Sequence, residues 1–192
     1  MTPARYLRVV SAIFAIRNKI LNSIAKIICR RTITVDYRGL RIYFPREINI
    51  GNNFSAGRGL WLESVNGKGR IEIGNNVNFS DDVHIGSANF IAIGSGVLMG
   101  SGVLVSDHSH GAPNTAGGNG WELPPNQREI ISKGKIEIKD NVWLGNGVCV
   151  LANVSIGEGA IVGANSVVLS DIPPRTIWAG IPAHQIWPKP IQ

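Results

Sequence analysis

Four consecutive six-residue blocks decide the fold: residues 144–167 read LGNGVC, VLANVS, IGEGAI and VGANSV. Each block begins with a large aliphatic residue, and its fifth residue is small or β-branched. The third and fourth positions are rich in Gly and Asn, which tolerate a positive φ angle and form turns. Because an α-helix has a 3.6-residue period and few glycines, the pattern instead predicts a short strand, a turn and a second short strand in every block.

The six-residue rhythm extends over most of the 192-residue chain. A large aliphatic residue or Met followed by Gly occurs eight times between Ile50 and Gly163, and four of the seven intervals are multiples of six. The longest interval contains a loop at 112–134. One such coil cannot bury its inner face, so coils must stack. We predict an all-β solenoid over residues 32–184 with a protruding loop, preceded by a helical segment at 1–31 and followed by a tail at 185–192.

The net charge of +6 is concentrated at the N-terminus. Residues 1–31 contain seven basic and no acidic residues, whereas the rest of the chain has 12 basic and 13 acidic residues. A nearly neutral body lacks the basic surface that nucleic-acid binding requires. We therefore expect no nucleic-acid partner.

Apolar residues of the N-terminal segment recur at steps of three and four, which predicts an amphipathic α-helix. They are Tyr6, Val10, Ile13, Phe14, Ile20, Ile24, Ile27 and Ile28. Two interpretations stay open. A basic amphipathic helix can lie on an anionic membrane surface, or its apolar face can pack on the chain's own body or on a sister subunit.

Two cysteines, Cys29 and Cys149, are too few for a disulfide framework and lack metal-site spacing. No uncharged apolar run reaches the ~18 residues that span a bilayer. The expected location is the cytoplasm, at the inner face of the membrane if the helix binds lipid.

The array breaks at Val105-Ser106-Asp107-His108-Ser109-His110-Gly111, directly before the long loop. His108 occupies the fourth position of its block, a turn position whose side chain should point outward. Imidazole is a suitable general base because its pKa is near neutral. His110 begins the loop and is the second candidate base, or a contact to the substrate.

Several segments in one order carry a family resemblance. They are SDHSHG at 106–111, PP at 124–125, SKG at 132–134, NVWLG at 141–145, DIPP at 171–174 and AGIPA at 179–183. Together with the repeats, they resemble hexapeptide-repeat acyltransferases, in particular sugar O-acetyltransferases of surface-polysaccharide gene sets and, more distantly, galactoside and maltose acetyltransferases. The resemblance implies a left-handed β-helix, a homotrimer with active sites between adjacent subunits, and acetyl-CoA as co-substrate.

The resemblance also implies roles for individual residues. His108 matches the family's catalytic base, and the backbone amide of Gly145 or Asn146 would stabilise the oxyanion. The acceptor sugar would be contacted by Trp143 and His110, by Ser80, which replaces a family Asn, and by Asp82, which is equally a turn-former. The coenzyme A positions are Gly163, Ala164, Ser170, Arg175 and His184; Ser170 and His184 depart from the family's phosphate-binding residues.

The predicted function is that of an acetyl-CoA-dependent O-acetyltransferase that modifies a sugar of a bacterial surface polysaccharide or its precursor by direct transfer, without an acyl-enzyme. Two other classes remain open: a γ-carbonic-anhydrase-like metalloenzyme and a non-catalytic, membrane-associated scaffold. Zinc sites of the first class use three histidines, two of them four residues apart. No pair among the four histidines has that spacing, so no metal is expected.

Overall fold

A computed structural model of the chain describes residues 3–29, 31–111 and 123–188. The chain passes in turn through three parallel sheets, A, B and C, so that three short strands make one coil of a solenoid. Each strand pairs with the strand one coil earlier and one coil later. The predicted β-solenoid of stacked coils is confirmed.

Strands are numbered in chain order. Sheet A contains β1 (Ile33–Val35), β4 (Phe54–Ala56), β7 (Asn78–Phe79), β10 (Leu98–Met99), β15 (Trp143–Leu144), β18 (Ile161–Val162), β20 (Ile177–Gly180) and β21 (Ala183–Trp187). Sheet B contains β2 (Arg41–Tyr43), β5 (Trp61–Ser64), β8 (His84–Ser87), β11 (Leu104–Ser106), β16 (Cys149–Leu151) and β19 (Val167–Val168). Sheet C contains β3 (Ile48–Ile50), β6 (Arg70–Ile73), β9 (Phe90–Ile93), β14 (Ile136–Ile138) and β17 (Val154–Ile156).

The first residue of each block faces the core, together with the fifth, such as Val148. Met99, Leu144 and Ile156 are completely buried, and their sequence neighbours on the same strands point outward. Burial removes a Leu- or Ile-sized side chain from water, which stabilises the fold by about 1.5–3 kcal/mol per residue. The outer faces of the sheets are thus left free to carry chemistry.

Asn and Asp at the corners hold successive coils together. Asp140 Oδ1 accepts a hydrogen bond of 2.7 Å from the backbone N–H of Ser95, one coil earlier, and Asn146 Oδ1 accepts one of 2.9 Å from Ser101. The corner residue Gly147 has a φ of 68°, a conformation that glycine adopts without strain. These bonds explain why the third and fourth block positions prefer turn-forming residues.

The long loop leaves the solenoid between sheets B and C. At its base, β12 (His108–Ser109) pairs antiparallel with β13 (Ile131–Ser132). A short 3-10 turn, Pro125–Gln127, precedes β13, and Arg128 Nε donates a hydrogen bond of 2.8 Å to the carbonyl of Leu123. The first part of the predicted loop, 112–122, lies outside the described residues.

Helix α1 (Pro3–Cys29) attaches to the solenoid through its polar side. Asn22 donates to the carbonyl of Val35 (3.1 Å) and accepts from its N–H (2.9 Å), which occupies the open edge of β1. A row of isoleucines points away from the body and is 46–60% exposed: Ile13, Ile16, Ile20 and Ile24. For this row, the interpretation in which the apolar face packs on the chain's own body is wrong, because the asparagine side makes that contact.

The C-terminal end is closed by an antiparallel strand. β21 pairs with β20 and extends to Trp187, so the first three residues of the predicted tail belong to sheet A. The half-buried Trp178 packs against the core beneath this hairpin.

Candidate active site

His108 lies where the chain turns out of sheet B, immediately after β11. Its side chain is 17% exposed, whereas that of the preceding Asp107 is completely buried. A buried carboxylate is costly unless it is hydrogen-bonded. The position of Asp107 therefore requires a dedicated set of donors.

Those donors come from the previous coil. Asp107 accepts hydrogen bonds from Ser87 Oγ (2.9 Å) and from the backbone N–H groups of Ala88 (2.7 Å) and Asn89 (3.0 Å). Burial, the largest influence, raises the pKa of Asp107, but the hydrogen bonds, led by that from His108, outweigh it and lower the pKa below its ordinary value. Asp107 is therefore a fixed negative charge at neutral pH.

The fixed charge lies next to one nitrogen of His108. Nδ1 is 3.4 Å from Oδ1 of Asp107 and 3.3 Å from Oγ of Ser106. Both neighbours favour a proton on Nδ1, which leaves Nε2 as the free base. This is the arrangement in which a carboxylate sets the tautomer and orientation of a catalytic imidazole.

A pocket of about 300 Å³ opens beside His108. Its walls come from β11 and the base of the loop on one side and from the two following coils on the other. The lining residues are Ser106, His108, Ser109, Ile131, Lys133, Leu151, Ala152 and Leu169. His110 is exposed and is not part of this lining.

A glycine makes room for His108 on the outer face of sheet B. A Cβ atom built on Gly86 would lie 3.1 Å from Cε1 of His108 and 3.4 Å from Nε2 of His84. The imidazole rings of His84 and His108 therefore both lie over the backbone of Gly86, which has no side chain. The convergence was not predicted, because His84 and His108 are 24 residues apart in sequence.

His84 belongs to a stack of side chains on the outer face. Its ring lies parallel to that of Trp61, with centroids 3.9 Å apart, and its Nε2 is 3.7 Å from Glu63. Burial lowers the pKa of His84, and the opposing effect of Glu63 is smaller. His84 is therefore a neutral neighbour of His108.

A second pocket, of about 290 Å³, lies on the outer face of sheet A and its corner with sheet B. It brings together the predicted oxyanion turn Gly145-Asn146, the half-exposed Trp143 and the small positions Gly163 and Ala164. Five residues of the predicted site thus share one surface. The side chain of Asn146 is already used in capping Ser101, so only its backbone is free for another role.

The two pockets lie at opposite edges of sheet B. The Gly145 turn precedes β16, whereas His108 follows the neighbouring β11, and the two strands are parallel and in register. With a rise of about 3.3 Å per residue, the width of the sheet separates them by roughly 15–20 Å. Within one subunit, the structure does not bring the predicted base and the predicted oxyanion turn together.

Comparisons with known proteins identify this architecture. Residues 135–170 match the bacterial transferase hexapeptide (six repeats) family. The chain is 41% identical over 160 residues to WbbJ of Escherichia coli strain K12, provisionally assigned as a lipopolysaccharide biosynthesis O-acetyl transferase, and the match covers 79% of the chain and 81% of the relative. The chain belongs to the hexapeptide-repeat acyltransferase family.

Two further relatives place the acyltransferase among acetyl-transferring proteins. Galactoside O-acetyltransferase of Escherichia coli strain K12 is 31% identical over 123 residues, 57% of the chain and 55% of the relative. The crystal structure of the hexapeptide-repeat acetyltransferase VCA0836 of Vibrio cholerae, complexed with acetyl coenzyme A, superposes with a TM-score of 0.60 at 27% identity, over 74% of this chain and 72% of that one.

The remaining predicted residues of the acyltransferase are dispersed. Ser80 and Asp82 lie at the corner between sheets A and B, and Asp82 has a φ of 57°, so it does serve as a turn-former. Ser170 lies between sheets B and C, Arg175 is an exposed corner residue with a φ of 58°, and His184 is on β21. Ser170 and Arg175 do not line the pocket of Gly163 and Ala164, whereas His184 lies two strands from Gly163, opposite Ala179.

Sequence reasoning missed the residues that support His108. The carboxylate role of Asp107 and the hydroxyl of Ser87 carried no sequence signal beyond their presence in or near the repeats. Trp61 and Glu63 lie two coils before His108. In a solenoid of known coil length, positions one coil apart are neighbours, and that rule could have found all four.

In the part of the chain that the structure describes, no group of three or more His, Cys, Asp or Glu side chains is arranged to hold a metal ion. No helix in the same part combines the length and the apolar character that crossing a membrane requires.

Proposed function

We propose that this acyltransferase transfers the acetyl group of acetyl-CoA to a sugar hydroxyl of a bacterial surface polysaccharide or its precursor. The hydroxyl oxygen attacks the thioester carbonyl carbon while Nε2 of His108 takes its proton. The tetrahedral intermediate then collapses, the carbon–sulfur bond breaks, and the imidazolium returns the proton to the leaving thiolate. The product is a sugar acetate ester and free coenzyme A.

The observation that carries this proposal is the position of a buried carboxylate beside Nδ1 of His108. Asp107 and Ser106 both lie at Nδ1, so Nε2 is the nitrogen available to a substrate in the pocket. A positioned base of this kind contributes roughly 10²–10⁴-fold in rate. The assignments of WbbJ and of the galactoside enzyme to O-acetyl transfer support the choice of a hydroxyl acceptor.

The donor is proposed to bind in the pocket of Trp143, Gly145 and Gly163. The exposed backbone there allows close approach of a pantetheine arm, and the N–H groups of the Gly145 turn suit an oxyanion. The bound acetyl coenzyme A of the Vibrio cholerae relative supports this donor.

A homotrimer is proposed to complete the site. His108 and the Gly145 turn lie at opposite edges of sheet B within one subunit, so both can reach one thioester only if a second copy supplies one of them. Mixing inactive His108→Ala chains with inactive Trp143→Ala chains should restore activity in heterotrimers. No recovery after co-refolding would contradict a shared site.

The test of the base compares two histidines two residues apart. His108→Ala should lower kcat at least ~100-fold with labelled acetyl-CoA and a panel of sugar acceptors, while acetyl-CoA binding by calorimetry is retained. His110→Ala, at an exposed residue outside the pocket, should keep kcat close to the wild-type value. Near-normal kcat in His108→Ala, or an acetylated enzyme detected by mass spectrometry, would refute the mechanism.

We also propose that α1 binds the inner face of the membrane. Ile13, Ile16, Ile20 and Ile24 form one exposed apolar row, and residues 1–31 contain no acidic residue, a combination suited to anionic lipid. Ile16→Asp/Ile20→Asp should abolish sedimentation with phosphatidylglycerol vesicles without changing oligomer mass. If the oligomer dissociates instead, the row is a subunit contact.

A further inference from the structure

A third pocket lies on the N-terminal side of His108 and contains one of the predicted acceptor contacts, Asp82. It measures about 400 Å³ and is lined by Arg38, Gly39, Arg41, Arg58, Gly59, Trp61, Asp82 and His84. His84 links it to the candidate base, because the rings of His84 and His108 both lie over Gly86. A ligand at His108 can therefore extend into this pocket.

Three guanidinium groups from two coils converge on this space. Arg38 is held by Asp36, and Arg58 is held by Asp81 (3.1 Å) and Asp82 (3.6 Å). Asp36 and Asp81 are not part of the lining. Carboxylates therefore already neutralise Arg38 and Arg58 in part, and among the described lining residues the guanidinium without such a pair is that of Arg41.

Arg41 is the guanidinium that carries the argument. Among the described residues, it has no carboxylate within ion-pair distance, and its side-chain carbon Cζ lies 5.1 Å over the ring of Trp61. Trp61 in turn stacks on His84. The stack fixes the guanidinium plane and leaves its N–H groups without an acidic partner, and a planar guanidinium fork recognises phosphate through paired hydrogen bonds.

The distance from His108 defines the size of the ligand. Arg41 is in the first coil and the His108 ring lies over Gly86 in the third, and successive strands are about 4.8 Å apart, so the two are separated by about 10 Å. A sugar ring alone does not cover this distance. A sugar that carries a diphosphate on its anomeric carbon does, whereas a carboxylate attached directly to the ring does not.

Resting on the proposed function, we infer that the acceptor is a glycosyl diphosphate, whose diphosphate binds Arg38, Arg41 and Arg58 while its sugar lies between His84 and His108. Two sources share this chemistry: a nucleotide sugar and a polyprenyl-linked sugar. Arg38 Cζ lies 5.7 Å from the ring of Phe14 on α1, so the pocket adjoins the helix that presents the isoleucine row, and this position favours the lipid-linked source.

The experiment uses the full chain and measures calorimetric affinity for inorganic pyrophosphate. Arg41→Gln should weaken binding about tenfold or more. The matched control is Arg70→Gln, because Arg70 also lies over an aromatic ring, Phe90, and is paired with Glu72, but belongs to sheet C. The control should bind pyrophosphate like the wild type, and both variants should keep their affinity for acetyl-CoA.

Equal pyrophosphate affinity in Arg41→Gln and the wild type would overturn the inference. Failure of the wild-type protein to bind acetyl-CoA would instead refute the proposed function, so the two negative results are distinguishable. Uridine diphosphate and a polyprenyl diphosphate in phosphatidylcholine vesicles then separate the sources. If either of these ligands binds more tightly than pyrophosphate, and Arg41→Gln weakens that binding, the result supports a diphosphate acceptor. The ligand that binds more tightly identifies the carrier.

Discussion

The outer face of sheet B has two halves that share one backbone and differ in chemistry. One column of outward positions contains Arg41, Trp61 and His84 in the first three coils and Leu104, Cys149 and Val167 in the next three. Strand spacing and register are the same throughout. Only side chains distinguish the polar, aromatic half from the aliphatic half.

His108 leaves the sheet at the boundary between these halves. Its imidazole lies over Gly86 of the polar half, while its own pocket is lined by Leu151 and Leu169 of the aliphatic half. On the proposed function, the charged acceptor approaches from the first side, and the acyl end of a donor held in the Gly145 pocket of a second copy approaches from the second. A uniform solenoid backbone would then separate the two substrates by the polarity of its outward side chains alone.

Removing the charge at the boundary should have the largest effect. Asp107→Asn should lower kcat/KM about 100-fold, because the carboxylate that sets the tautomer of His108 is lost. Steady-state rates of the wild type and the variant, measured at one neutral pH, check this loss.

The matched control for that variant is Ser87→Ala. It removes one donor to Asp107 but leaves the carboxylate beside His108, so it should cost some stability and keep kcat/KM close to the wild-type value. Equal losses of kcat/KM in both variants would mean that general disruption, rather than the charge, is responsible.

Filling the gap over Gly86 should have an intermediate effect. A methyl group there would crowd the imidazole of His108 and touch that of His84, so Gly86→Ala should displace His108 and lower kcat about tenfold, as expected for a small misplacement of a catalytic group. The double variant His84→Ala/Gly86→Ala should recover part of the loss, because truncation of His84 reopens the space. Steady-state kinetics measure kcat for both variants. A double variant with the same kcat as Gly86→Ala would argue against crowding as the cause.

Lowering the pH should reduce the thermal stability of the folded chain gradually. The pKa of Asp107 is below its ordinary value of 3.8 in the folded chain, so its ionised form favours folding. That contribution is present above about pH 4 and is lost as the pH falls through the lower, folded value. Thermal melting between pH 3 and 6 should therefore show a steeper decline for the wild type than for Asp107→Asn. Parallel curves would contradict this assignment.

The repeats predicted the solenoid because each block repeats one burial pattern, as Leu144 and Ile156 illustrate. His108 could be selected because it stands where the array breaks. The residues around His108 could not be selected in this way. Trp61 and His84 become neighbours only once the coil lengths are known, which are 23 and 20 residues here. The face that α1 presents to the solenoid could not be predicted either. Its asparagines bind a strand edge, and composition alone does not tell which face of a helix packs against a partner.

The smallest effect is expected in the aliphatic half, at Cys149. Burial raises the pKa of its thiol, so the thiolate that nucleophilic catalysis requires is scarce at neutral pH. Its side chain shares a column with Leu104 and Val167 rather than with His108. Cys149→Ser should therefore keep kcat within about twofold, and iodoacetamide should modify the wild-type thiol slowly. A large loss of kcat together with a trapped acetyl-cysteine would show that the aliphatic half performs covalent chemistry, and the division of sheet B between two substrates would then have to be abandoned.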